Sequence, residues 1–115
     1  MVKIITADVA ESAMERAGNA EEKLMRKVVS AAKLVTGKKV QQLEKIDMDV
    51  ELKVKDIHAK GKEKRATIRG KMFGAGAEEK QKLLNRLNAL DFAIAESDIK
   101  AYYAGIAKVD ALLKK

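Results

Sequence analysis

His58 is the only histidine in the chain and so the one side chain suited to carry a proton near neutral pH. Catalysis would need a nucleophile, a carboxylate or a second histidine beside it, and the sequence offers no cysteine and few serines for that purpose. His58 is therefore read as a solvated turn residue, and no enzymatic activity is expected. Asp47, Asp49 and Glu51 alternate along the chain and would present three carboxylates on one face of a strand. A calcium loop would follow them with glycine at its sixth position and glutamate at its twelfth, where this chain has Leu52 and His58. Gly70, Gly74 and Gly76 match neither the dinucleotide nor the P-loop spacing, and Glu78 and Glu79 would repel an anion there. No metal and no cofactor is expected.

What remains is positive charge. Lys53, Lys55, Lys60, Lys62, Lys64, Arg65, Arg69 and Lys71 stand against only two acids in residues 52–71, giving that segment +6 of the chain's net +7. Such a concentration is the footprint of polyanion contact, in which lysine and arginine release counterions from phosphates. Phe73 is the only aromatic residue nearby, so backbone contact is expected rather than base stacking. Nucleic acid is the first expected partner. A lysine-rich strand edge also guards a sheet against aggregation, which is the plain rival for the same residues.

The elements that would position these residues follow from hydrophobic period. Asp8 and Glu11 have capping-box spacing, and Gly18 is a suitable end for a helix over about 9–17. Asn19 and Glu22 repeat the signal, and Ala20, Leu24, Val28, Ala31 and Val35 then share one face of a helix over 20–36 ended by Gly37. Ile46, Met48, Val50, Leu52 and Val54 alternate with charged residues, the pattern of a half-buried strand. Leu43, Ile46, Val50, Val54 and Ile57 also fit a helix, but that reading leaves Met48 and Leu52 facing water. With Lys60-Gly61 as a turn and Ala66, Ile68, Gly70 and Met72 alternating after it, the spacing predicts an antiparallel ribbon over about 46–73. A bulge near Lys55-Asp56 would keep its apolar rows on one face. Lys53, Arg65, Arg69 and Lys71 would then lie together on the other.

Leu83, Leu87, Leu90 and Ile94 mark a helix over about 77–96. Ile99, Tyr102, Ile106, Val109 and Leu113 mark another over about 98–114, capped by Ser97 or Asp98. The expected fold is α+β, with N-terminal helices, a central antiparallel β-hairpin and C-terminal helices in a single domain over 1–115; an all-α bundle is the alternative. The order helix, helix, ribbon, helix resembles that of the histone-like bacterial DNA-bending proteins. The chain departs from them in its short arm and in having no proline, and no residue role is taken over.

Eighteen of the apolar residues are alanine, so the core is thin and aliphatic. A thin core stabilises weakly and favours covering apolar surface with a second copy or a protein partner. Ile99, Tyr102, Ile106, Val109 and Leu113 are the candidate self-association face. The absence of cysteine, of a secretory signal and of any long apolar run predicts a cytoplasmic, soluble protein without membrane contact. Two functions fit: a basic, non-enzymatic protein contacting nucleic-acid phosphates, or a structural subunit of a viral particle or other multimer that uses helical apolar faces.

Overall fold

The computed structural model describes residues 4–115, and these form three helices and no strand. Helix α1 spans Ala7–Ala32, α2 spans Lys38–Met72 and α3 spans Ala77–Lys114. The expected β-hairpin over 46–73 is absent, since that whole segment belongs to α2, and the all-α alternative describes the chain. The likeness to the DNA-bending proteins falls with the ribbon.

Period decides this outcome. Ile46, Val50 and Val54 satisfy both the strand and the helix spacing, so Met48 and Leu52 are the discriminating residues. Both are exposed, as the helix reading requires. Thirty-five residues rich in lysine and free of proline carry enough helix propensity to tolerate two apolar side chains in water. Gly61, expected as a turn, instead lies buried inside α2. A β-carbon there would run into the Ile94 side chain, so its hydrogen lets α2 and α3 approach closely.

The expected break between residues 17 and 20 is also missing. Ala10, Ala13, Ala17, Ala20, Leu24 and Ala31 keep one buried stripe running past Gly18, and that continuity outweighs the roughly 1 kcal/mol an exposed mid-helix glycine costs. Thr6, rather than Asp8, caps this helix by accepting from the Val9 amide at 3.3 Å. Residues 77–114 likewise form one helix instead of two. Its stripe changes phase because its lower turns face α2 alone, whereas its upper turns face both neighbours.

The helices run up, down and up. Arg16 meets Glu96 and Lys27 meets Asp110, so α1 is parallel to α3, while Arg65 meets Asp91 and His58 meets Asp98, so α2 is antiparallel to it. Helix α3 packs along both others, which barely touch each other. Glycines Gly37 and Gly74, with φ of 62° and 74°, occupy the two connections. One core cluster joins Leu24, Val35, Leu43, Val50, Ile106 and Val109; a smaller one joins Ala13, Ala17 and Ala95 with Phe92 and Ile99. The result is a rod of 61 × 23 × 21 Å. No described helix is long and apolar enough to cross a membrane.

Candidate functional site

Because α1 and α2 each rest on α3 but not on one another, an open groove of about 1020 Å³ runs between them with α3 as its floor. Met14, Gly18, Glu21 and Met25 line the α1 wall. Asp47, Glu51, Lys55, His58, Lys62 and Arg65 line the α2 wall, and Asp91, Ile94, Asp98 and Tyr102 belong to the floor.

Two polar contacts join the walls of this groove to its floor. His58 Nε2 lies 2.6 Å from Asp98 Oδ2, tying α2 to α3, and the Asp98 side chain is only 7% exposed. Asp98 Oδ1 is buried and makes no hydrogen bond with any described residue. On the other side the Tyr102 hydroxyl donates to Glu21 Oε2 at 3.1 Å, tying α3 to α1. Burial, followed by the charges of Glu21 and Asp98, pushes the Tyr102 phenol well above its ordinary range. His58 is therefore a helical residue hydrogen-bonded to Asp98 on a groove wall, not the turn residue expected. The groove lining among the described residues has no serine, threonine or cysteine to exchange a proton with it. No cluster of metal-ligating side chains occurs among the described residues.

The groove is electrically polar along its length. Glu21, Asp47 and Glu51 stand toward the α1–α2 connection, and Lys62 and Arg65 toward the far end, where the Arg65 guanidinium abuts Asp91.

The eight basic residues expected on one ribbon are all on α2, but a helix turns about 100° per residue and divides them. Lys53, Lys60, Lys64 and Lys71 fall on one line. Lys55, Lys62, Arg65 and Arg69 fall on a second, roughly opposite, of which the first three line the groove. Lys53, Arg65, Arg69 and Lys71 therefore do not share a face, which corrects the strand-based grouping. Lys60 is held by Asp56 at 3.0 Å, and Arg65 is half-buried.

Of the helical stripe considered for self-association, Tyr102, Ile106 and Val109 are buried within the chain's own core, Ile99 packs half-buried beside Ala95, and Leu113 is exposed. The apolar residues left outside lie elsewhere. Met14, Met25 and Val29 are exposed on α1, and their spacing of eleven and four residues puts them on one line beside the groove. That line was readable in the sequence once the alanine stripe is assigned to the core, because the remaining apolar residues of α1 show a second helical phase.

Comparison of the chain with family models, with curated proteins and with solved structures finds no match.

Proposed function

We propose that the protein is a non-catalytic helical assembly subunit that pairs with a second copy of itself through the face containing the α1–α2 groove. The observation that carries this reading is the second apolar line of α1, where Met14 and Met25 stand 49% and 58% exposed at the groove. Methionine adapts its shape to an opposing surface and suits such contacts. Shape supports the same reading. The radius of gyration is 18.1 Å, against about 13 Å for a compact chain of this length, so the rod has little interior for its surface. It exposes 8302 Å², where a compact monomer of its mass would expose roughly 6,200 Å². The excess, about 2,100 Å² per chain, is more than twice the roughly 800 Å² that a standard interface removes from each partner, so the rod has surface to spare for one.

Sedimentation equilibrium across a concentration series tests this. The expected result is a mass rising toward twice 12.6 kDa for the native chain, and a mass near 12.6 kDa for a Met14→Lys/Met25→Lys variant that keeps its helical circular dichroism. A native chain that stays monomeric at about 100 µM, a hundredfold above a micromolar dissociation constant, refutes the reading.

A second reading, phosphate contact, keeps one observation in its favour. Lys53, Lys60, Lys64 and Lys71 form an exposed line along α2 away from the groove. Retardation of duplex or single-stranded nucleic acid at about 50 mM salt, lost on reversing Lys53 and Lys64, is its test.

A further inference from the structure

We infer that the second copy lies antiparallel across the groove, in a register fixed by the charges of α2; this rests on the self-assembly reading above. Glu44, Asp47, Glu51, Lys55, His58, Lys62 and Arg65 follow one another at steps of three or four residues, so they form one continuous line on α2. The line changes sign once. Its first three members are acids, and Lys55, Lys62 and Arg65 beyond them are cations, with the change between Glu51 and Lys55.

An antiparallel copy turned about the point between Val54 and Lys55 brings opposite charges together on either side of the axis, while the two Lys55 side chains lie near each other at it. Glu44 meets Arg65 of the second copy, which also abuts Asp91, and Asp47 meets its Lys62, and two-fold symmetry makes each pairing twice. A parallel two-fold copy would instead lay the methionine line of α1 against the charged line of α2, so neither would meet its match. Asp47, Glu51, Lys55 and Lys62 make no ion pair within the chain among the described residues, so their charges remain available to a partner.

Helix α1 supplies an independent check on the same axis. Met14 and Met25 exchange places under a reversal about the point between Asn19 and Ala20. The contacts Arg16–Glu96 and Glu21–Tyr102 place that point beside Lys100 of α3. The contacts His58–Asp98 and Val50–Gly105 place the α2 axis beside Ala101. The two centres therefore agree to within about one residue rise, 1.5 Å. One two-fold axis crossing the groove can thus pair methionine with methionine on one wall and acid with base on the other. Surface charges of this kind add little affinity but discriminate strongly between registers.

The test uses Asp47→Lys and Lys62→Glu, each in the full chain, at about 50 mM salt so that charge is weakly screened. Each variant alone sets like charges opposite one another twice, and its dimer is expected to weaken about tenfold or more. An equimolar mixture of the two restores opposite pairs at both places and is expected to recover dimer mass. Circular dichroism confirms that each variant is folded. A dimeric native chain whose two variants associate unchanged, or whose weakened variants fail to rescue each other, overturns the register and leaves self-assembly standing. A monomeric native chain overturns both. Cysteine replacement gives a second readout in this cysteine-free chain. Lys55→Cys, near the axis, should cross-link to its own copy with a short bismaleimide. Asp47→Cys should cross-link only when mixed with Lys62→Cys, and self-cross-linking of Asp47→Cys would overturn the antiparallel arrangement.

Discussion

A β-carbon on Gly105 would stand 2.7 Å from Val50 Cγ2, and 3.3 Å from Leu24 Cδ1, so α1 and α2 both descend on α3 at this one residue. Gly105→Ala gains about 1 kcal/mol of helix propensity but forces Val50 aside, and overpacking of this kind costs about 1–3 kcal/mol. Net destabilisation is expected in urea unfolding. Gly70→Ala is the matched control, because nothing lies within 4 Å of its added carbon, and it should stabilise the chain by up to about 1 kcal/mol. Equal effects at the two sites would contradict the close approach.

Asp98 depends on His58 for the only hydrogen bond its carboxylate receives from a described residue. His58→Ala should cost about 1–3 kcal/mol at neutral pH, since it leaves a buried carboxylate without a partner. Adding Asp98→Asn to that variant removes the buried charge and should return part of the loss. A double-mutant cycle with zero coupling would show that the pair is not formed.

The raised phenol of Tyr102 links stability to alkaline pH. Its pKa in the folded chain lies above the ordinary value of 10.0, so the unfolded chain loses the proton first and folding favours the protonated form. Its contribution is complete below pH 10 and fades as the pH rises from there toward the folded value. The native chain should therefore lose stability above pH 10 faster than Tyr102→Phe does. In a Tyr103→Phe background all phenolate absorbance comes from Tyr102, and its appearance near pH 10 in the folded chain would refute the assignment.

Ala13 is fully buried where α1 meets α3, in a cluster with Ala17 and Ala95. Small side chains there set the separation of the two helices. Ala13→Leu should destabilise by about 1–3 kcal/mol through overpacking, whereas the same change at Ala7, which is exposed, should have an effect within about 0.5 kcal/mol. Thermal unfolding of the two variants checks the contrast.

Much of the helical framework was legible in the sequence, and its failures share a cause. The start of α3 after Gly76, with Glu78 and Glu79 in its first turn, follows from the residues as read. So does the membership of Leu24, Val35, Leu83, Ile106 and Val109 in buried faces. Glycine misled the reading at Gly18 and Gly61, because its local meaning as a break holds only where no neighbouring helix uses the missing side chain or continues the stripe past it. The 46–54 stretch misled it because three of its apolar positions satisfy both periods, leaving two residues to decide. The groove could not be read at all. Its existence depends on which helix pairs touch, and an apolar stripe does not state its partner.

Helix α1 begins late relative to the rest of the rod. Arg16, ten residues into α1, lies beside Glu96, twenty residues into α3, so about ten residues at the foot of α3 pair with α2 alone. The α2–α3 hairpin closes through a four-residue connection, Phe73–Gly76, whereas contacts between α1 and α3 join residues about eighty positions apart, as in Arg16–Glu96 and Lys27–Asp110. Low sequence separation is cheap in loop entropy and high separation is slow to find. Folding should accordingly start as a two-helix hairpin onto which α1 docks afterwards, with the alanine interface absent from the rate-limiting step. A newly made chain would then expose the inner side of α3 until α1, made before it, returned to cover it.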